Sequence, residues 1–366
     1  MPLKYVTPIA FLALLPLGGW LGGAWTFTAA VATPLCLAAL DGVLGDDTAP
    51  PEQVDKAAAP WWPRVYIFLQ LAVSVCAVDY VTRSTTSMVE AAGLAVSTGF
   101  MTGVFGFVAA HELIHSRNWY DRTIGLLLLA SVFYMHFRIA HVYGHHRRAA
   151  TFADPASARL GESLYAFLPR SVSGQFREAW AFEARRKKRA GRSVISSGNR
   201  MIVYLTIETA FLLTVALASI RAVAFLTCVA IIAVALLESF NYVAHYGLTR
   251  KAGANGRMEP LARQHTWNTD RRMNNAALFN MGRHSDHHRR TTLSYPRLES
   301  LAGAAVLPSG YAAALLTALV PPLWRRVMDW RAEEAMGNSD DDEANGALAQ
   351  CEPCGQSCRH SSRLQR

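Results

Sequence analysis

Long apolar blocks, rather than the alternation typical of a soluble core, dominate the hydrophobic pattern of this chain. Crossing a bilayer as a helix takes roughly 20 mostly apolar residues. Blocks of about this length predict six transmembrane helices, at Tyr5–Trp20, Ala24–Leu40, Pro63–Thr82, Leu94–Ala110, Met201–Ser219 and Ala222–Phe240. We therefore expect an all-α integral membrane protein with about six transmembrane helices.

The first block is the shortest and contains Pro8 and Pro16. A cleaved signal peptide is the alternative for this segment. Lys4 is the one basic residue near it, and cleavage would delete the first span, so we favour a membrane helix. The four glycines of GGWLGG, two at the end of this block and two just after it, predict a tight hairpin to the second span.

A seventh apolar block, Thr123–Met135, is too short to cross the membrane. As a helix of about 13 residues it would measure about 20 Å, whereas the hydrocarbon core is about 30 Å thick. If it crossed, the motifs HELIH and HVYGHH on either side of it would lie on opposite faces of the membrane. We therefore expect the block to re-enter or to lie flat, which places both termini and all the histidine motifs on one side.

Basic residues identify that side. Arginine and lysine are concentrated between Arg117 and Arg200, with a dense run at Arg185–Arg189, and again after Gly247. The positive-inside rule assigns these regions to the cytosol, and acidic residues carry little weight in it. No base-recognition motif accompanies the net charge of +9, so lipid headgroups or an acidic protein partner fit it better than nucleic acid.

Composition divides the chain into a membrane-embedded domain, residues 1–330, and a tail, residues 331–366. The tail contains an acidic run, Asn338–Asn345, that is typical of disorder. A possible zinc-binding set follows it: Cys351, Cys354, Cys358 and His360. No second CxxC accompanies this set, so we favour a flexible tail. The other three cysteines lie within predicted spans and indicate no disulfide framework.

Histidine is the residue that points to chemistry. Eleven of the 12 histidines lie between His111 and His288, and nine of them fall in the motifs HELIH, HVYGHH, NYVAHYG and HSDHH. These motifs contain more imidazoles than one tetrahedral zinc uses and no paired cysteines. The sequence thus predicts an all-nitrogen site for two metals, with nine candidate ligands: His111, His115, His141, His145, His146, His245, His284, His287 and His288.

Helical spacing indicates how two metals would share these ligands. The two histidines of HELIH are four residues apart and lie on one helical face. His141 and His145 repeat that spacing, whereas His146 points about 100° away from His145, so that one adjacent pair can reach two metals. The adjacent histidines of HSDHH diverge in the same way and can also reach two metals. Candidate partners for the second imidazole nitrogens, for which capping or surface roles are equally open, are Glu112, Asp154, Asn241 and Asp286.

The remaining histidines have a simpler interpretation. A lone histidine at a membrane interface is more often a hydrogen-bonded structural residue than a ligand, and we apply this to His136, His265 and His360. His245 also stands alone in sequence, at the inner end of the last span, and both roles stay open for it on spacing alone.

These motifs resemble the membrane alkane 1-monooxygenases, histidine-rich diiron relatives of the membrane fatty-acid desaturases. The resemblance extends from about Pro34 to Asp329 and includes HVYGHHRRAATFADPASARLGESLYAF, NYVAHYGLTR, QHTWNTD, MGRHSDHH, LPSGY and PPLWRRVMD. It implies that the nine histidines bind two non-haem irons, that O2 is a co-substrate, and that rubredoxin and its reductase supply two electrons.

The chain departs from the family pattern at two places. Arg289–Ser294 (RRTTLS) replaces a stretch with shorter side chains and a proline, and Phe279–Gly282 (FNMG) replaces a more apolar lead-in. These departures concern the docking surface for the electron donor and the packing of the last helix, rather than the metal site. The tail lacks the second CxxC of a fused rubredoxin, so we expect an external donor.

Three functions follow from this pattern. The favoured one is a monooxygenase that hydroxylates the terminal methyl of a medium- or long-chain alkane. The second is a desaturase, or an enzyme that acts on fatty acyl or alkyl-aromatic substrates with the same diiron centre. The third is a membrane protein that stores or carries a metal without catalysis.

Overall fold

Helices make up the regular structure of the part of the chain that the computed structural model describes, residues 2–51, 54, 60–253 and 256–350, apart from three isolated β-bridges. Side chains are described as far as residue 337. The helices are α1 Leu3–Leu21, α2 Gly23–Leu44, α3 Trp61–Thr82, α4 Met88–His115, α5 Trp119–Ser131, α6 Leu164–Arg189, α7 Arg200–Ala218, α8 Ile220–His245, α9 Arg272–Ala277, α10 His284–Arg289, α11 Tyr311–Ala318 and α12 Pro321–Gln350.

The six predicted spans correspond to α1 to α4, α7 and α8, which are long and apolar enough to cross a membrane. The protein is therefore a multi-pass membrane protein. Two spans are longer than their apolar blocks. Helix α4 begins at a capping box of Ser87 and Glu90 and continues to His115. Helix α8 continues to His245. These extensions carry candidate metal ligands out of the apolar region.

The predicted hairpin between α1 and α2 is confirmed. Gly22 and Gly23 have φ values of 69° and 54°, a region that favours glycine. The turn brings the two helices into close approach, since a Cβ on Gly18 would lie 2.5 Å from the carbonyl oxygen of Trp25.

Two glycines let α4 and α8 pack closely. A Cβ added to Gly99 would lie 2.8 Å from Cβ of Ile232, and one added to Gly103 would lie 2.8 Å from Cβ of Leu236. Their spacing of four residues places both glycines on one face of α4, as in the small-residue contacts of membrane helices. The contact fixes the positions of the histidines at the ends of both helices.

Helix α5 runs antiparallel to α4 and then the chain turns back. Gly125 lies against Ile114, whereas Leu128, further along α5, lies against Gly106, further from the histidine end of α4. The chain reverses at Phe133, which has a φ of 54°. Because α5 begins and the return segment ends near the same end of α4, the motifs HELIH and HVYGHH meet without the block crossing the bundle.

The return segment contains an unusual helical turn. Residues Ala140–His145 form a π-helix, the wider turn that often occurs at functional sites. Gly144 within it lies so close to the carboxylate of Glu178 on α6 that a side chain there would collide with it. Glu178 also pairs with Arg148. The turn is thus held against α6.

The C-terminal helices close the histidine end of the bundle. Asp41, buried at the end of α2, accepts a hydrogen bond from the backbone of Asn274, and the Asn274 side chain accepts one from the backbone of Tyr311. Helix α12 continues past residue 330 to Gln350. The division into domains at residues 330 and 331 stays a prediction, and the cysteine set with His360 lies outside the described residues.

Candidate metal centre

The structure gathers the nine predicted histidines into two groups. In each group, one ring nitrogen per residue lies within 4.8 Å of the others. The first group contains five residues: His111, His115, His141, His146 and His287. The second group contains four: His145, His245, His284 and His288. The nine residues come from α4, the π-helical turn with the residue that follows it, α8 and α10, and these elements are distant in sequence.

The spacing between ring nitrogens fits metal binding. In the first group, Nε2 of His146 lies 2.9 Å from that of His141 and 3.1 Å from that of His115. In the second, Nε2 of His284 lies 3.2 Å from that of His245 and 3.1 Å from that of His288. Imidazoles about 2.0–2.1 Å from one ion place their nitrogens about 2.9–3.4 Å apart, the value depending on the coordination angle. The residues therefore fit one metal per group.

Adjacent histidines separate into different groups. His145 belongs to the second group and His146 to the first. The sequence suggested that His141 and His145 would share a face, but it is His141 and His146, five residues apart, that approach each other within the first group. The π-helical turn explains this difference, because its wider winding brings residues i and i+5 into register.

Burial keeps four of these imidazoles neutral. It lowers the pKa of His141, His146 and His287 well below the ordinary value, and the neighbouring imidazoles lower it further. Burial, with a contribution from His145, lowers the pKa of His284 to about 3. Metal ligation requires the neutral ring, so these four rings are already in the protonation state that binds a metal.

One ligand candidate has a carboxylate behind it. Nδ1 of His145 lies 2.8 Å from Oδ2 of Asp154, and both side chains are buried. Burial disfavours the charged carboxylate, but His145, Ser157 and the backbone of Ala156 outweigh it and lower the pKa of Asp154. The contact orients the ring so that Nε2 points toward the second group.

The other three predicted partners are occupied elsewhere. Glu112 accepts a bond from the backbone of Tyr295, Asp286 pairs with Arg290, and Asn241 donates to Glu238. Buried Nδ1 atoms without a hydrogen-bond partner among the described residues belong to His111, His146, His245, His284 and His288.

Two of the histidines predicted to be structural, His136 and His265, lie outside both groups. His136 packs between the rings of Tyr134 and Phe176, and His265 contacts the backbone of Ala262 and the carboxylate of Glu259.

An apolar cavity leads to the histidines. Its volume is about 300 Å³, and its lining includes His111, His141 and His284. The rest of the lining is mostly aliphatic and aromatic, including Val104, Phe100 and Leu316. The cavity extends along α4 into the apolar part of the bundle.

Comparison with known proteins agrees with this geometry. The fatty acid desaturase family model matches residues 87–317. The alkane 1-monooxygenase of Acinetobacter baylyi is 36% identical and covers 81% of this chain and 74% of its own length. That of Pseudomonas putida is 38% identical over 79% of this chain and 74% of its own.

The chain belongs to the alkane 1-monooxygenase family. The resemblance inferred from the histidine motifs is confirmed, and the protein is a membrane-bound monooxygenase. A more distant relative is the hydroxylase component of a xylene/toluene monooxygenase from Pseudomonas putida, which is 27% identical over 87% of this chain and 85% of its own length.

In this member of the alkane 1-monooxygenase family, sequence reasoning missed a buried carboxylate. Glu238 on α8 accepts hydrogen bonds from Tyr134, Ser171 and Gln175 at 2.6–3.0 Å. These bonds join α8, α6 and the segment that returns from α5. The signal was available, because an ionisable residue within a span is costly and commonly functional or paired.

A second missed network supports the π-helical turn. Arg200 lies over the ring of Tyr143 at 4.8 Å and donates to its hydroxyl. Glu183 is fully buried and pairs with both Arg200 and Arg186. Tyr143 also stacks on Phe182. No sequence spacing connects these residues, since they come from the turn, α6 and the start of α7.

Proposed function

We propose that this protein hydroxylates the terminal methyl group of a medium- or long-chain alkane. One alkane, one O2, two electrons and two protons give one primary alcohol and one water. The electrons come from rubredoxin and its reductase. The observation that carries the proposal is the apolar cavity, which begins at His111, His141 and His284 and continues between the spans.

An alkane has no polar group that could form a hydrogen bond, so its affinity depends on the apolar surface area that is buried on binding. Each buried methylene contributes about 0.8 kcal/mol of transfer free energy. The lining runs from His111 to Phe100 on α4, and this separation in a helix corresponds to about 16 Å. The cavity therefore suits an extended hydrocarbon chain with one end at the histidines, and a hydrophobic substrate would reach it from the bilayer.

We propose iron as the metal, two ions per chain, with all nine histidines as ligands. Bound iron would supply the activation of O2 and the cleavage of an unactivated C-H bond. The chain itself orients the rings, through Asp154 at His145 and through the network around Tyr143 at the π-helical turn. The aliphatic lining excludes water and positions the terminal carbon.

We place this site on the cytosolic face. The support is the positive-inside rule applied to the basic segments after Arg117 and after Gly247. This orientation gives an external cytosolic electron donor access to the histidine end of the bundle.

An alkyl-aromatic substrate is the second candidate. One support for this candidate is the relative named as the hydroxylase component of a xylene/toluene monooxygenase. Another is the aromatic rings in the cavity lining, those of Phe107, Phe137 and Phe240. Product analysis separates the candidates, because an n-alkane and an alkyl-aromatic compound can be offered in competition. A desaturase would instead form a double bond without incorporating oxygen.

The test is anaerobic purification with metal counting, followed by turnover of n-alkanes with 18O2, rubredoxin and its reductase. We expect two irons per chain and a primary alcohol labelled with 18O. A new double bond without label would favour the desaturase. Labile metal with no oxygen consumption coupled to reductant would favour a metal carrier.

His146→Ala provides the matched test of the ligand assignment. This variant should lose iron and turnover while it remains in the membrane, because His146 contacts three other members of the first group. His136→Phe is the control, since His136 is also buried but lies outside both groups. Two retained irons and full activity in His146→Ala would contradict the assignment.

A further inference from the structure

A second opening reaches the histidines from a different side. The apolar cavity touches His111, His141 and His284, whereas a polar cleft of about 860 Å³ touches His115 and His287. The cleft lies between the start of α3, the end of α4 and the segment after α10. A hydrocarbon substrate would bind the apolar cavity and not this polar cleft, so the proposed reaction assigns the cleft no function.

The cleft carries an excess of positive charge. Four arginines line it, and two carboxylates, Glu112 and Asp121, face them. Arg64 pairs with Asp121 at 2.6 Å, and Arg290 pairs with Asp286 at 2.5 Å. The two remaining arginines, Arg117 and Arg297, form no ion pair with any described residue. These two cations are available to an acidic partner.

The segment that follows α10 forms one wall of the cleft. Thr291, Thr292 and Ser294 line the cleft beside Arg290 and Arg297. The segment is attached to the metal centre, because the backbone of Tyr295 donates to Glu112, between the two histidines of HELIH. A partner bound to this wall therefore lies next to the ligand rings.

We propose that this cleft is the docking site of an acidic one-electron carrier protein. The inference rests on the proposed function, in which two reduced carriers are oxidised per turnover. Their two electrons and two protons, together with the two electrons of the C-H bond that is oxidised, reduce O2 to the hydroxyl oxygen of the alcohol and to water. The rings of His115 and His287 form part of the cleft lining, so few atoms separate a docked carrier from the metal centre. Opposite charges steer such encounters and set their orientation.

The other basic surface is less available. In the run Arg185–Arg189 on α6, Arg186 is paired with buried Glu183, and Lys187 is itself buried. Arg185, Lys188 and Arg189 remain exposed, but this run lies outside the cleft lining. We assign the run no role in docking.

The experiment measures binding directly, with the full-length protein in nanodiscs of neutral lipid. The probe is zinc-substituted rubredoxin, which is acidic and redox-inert, so its dissociation constant is independent of turnover. The test variant is Arg117→Glu with Arg297→Glu. The control is Arg185→Glu with Arg189→Glu, which makes the same change of charge on α6.

We expect the dissociation constant of the test variant for rubredoxin to rise tenfold or more at low salt. This constant should also depend less on salt, because the charges of Arg117 and Arg297 act on the partner mainly through long-range attraction, which salt screens. The control should bind as the parent does. Arg117→Gln with Arg297→Gln should show a smaller loss, and its unchanged thermal midpoint would exclude misfolding as the cause.

Three outcomes would overturn the proposal: unchanged binding in both test variants, weaker binding in the control alone, or loss of binding to anionic vesicles with rubredoxin binding intact. The last outcome would assign the cleft to lipid headgroups. Failure of the proposed function appears separately, as a parent protein that binds rubredoxin in this way but forms no alcohol.

Discussion

Asp154→Asn should weaken metal binding in the second histidine group alone. Oδ2 of Asp154 accepts from Nδ1 of His145 at 2.8 Å and from the hydroxyl of Ser157 at 2.7 Å, and Oδ1 accepts from the backbone of Ala156. An asparagine has one oxygen in place of two. In one orientation the amide NH2 group of the asparagine would face the donors of His145 and Ser157, and in the other it would face the backbone N-H of Ala156.

The expected magnitude follows from two independent ranges. Loss of such a supporting contact typically weakens metal affinity 10- to 100-fold, which is about 1.4–2.8 kcal/mol. Leaving a buried donor unsatisfied costs about 1–3 kcal/mol, which is the same range. Asp154 contacts His145 and no member of the first group, so the loss should fall on one metal.

The assay is anaerobic iron loading of the metal-free protein, followed by elemental analysis. At an iron concentration about ten times the dissociation constant of the second group, mass action gives about 90% occupancy in the parent and about 10–50% in the variant. Total iron should thus fall from about two per chain toward one. Ser157→Ala is the matched control, because it removes a donor to the same carboxylate but keeps the contact with His145.

Two results would refute this reasoning. Iron content that falls clearly below one per chain would mean that Asp154 supports both groups. Unchanged loading in Asp154→Asn, or an equal loss in Ser157→Ala, would mean that the carboxylate anchors its loop and has no effect on the metal.

Further predictions concern the cavity, the helix packing, an ion pair and the topology. Val104→Phe should shorten the cavity by about two methylenes and lower kcat/KM roughly 15-fold for long alkanes but not for short ones, as measured by competition in mixed alkanes. Gly103→Ala should destabilise the α4–α8 contact by about 1–3 kcal/mol, because the new Cβ would lie 2.8 Å from a leucine Cβ, and the thermal midpoint in detergent should fall. Burial raises the pKa of Glu183, but hydrogen bonds from two arginines outweigh burial and lower this pKa to about 2. The ionised carboxylate therefore stabilises the fold above about pH 4.5, and this stabilisation is lost as the pH falls toward 2. Glu183→Gln should therefore lower the midpoint at neutral pH and flatten its dependence on pH in that window. In a variant without native cysteines, Asn118→Cys and Arg147→Cys, both exposed, should react with an impermeant thiol reagent from the same side of the membrane. Labelling from opposite sides would contradict the turn-back of α5.

The sequence located the spans and the histidines that are the candidate metal ligands. Apolar length alone located all six membrane helices, because the bilayer imposes a minimum length on any helix that crosses it. The shortness of Thr123–Met135 showed that HELIH and HVYGHH must meet. Local spacing also showed that neighbours such as His145 and His146 diverge, since this depends on helix geometry and not on distant contacts.

Tertiary structure decided how the nine histidines divide and what supports them. The pairing of His141 with His146 depends on a π-helical turn that is held against α6 by Glu178 and Tyr143, and no periodicity in the sequence predicts such a turn. Asp154 contacts a candidate ligand because a loop folds back on His145, whereas Glu112, equally plausible in sequence, is engaged by Tyr295. Contacts between residues far apart in the chain are set by packing, and packing is the information that a pattern along one segment does not contain.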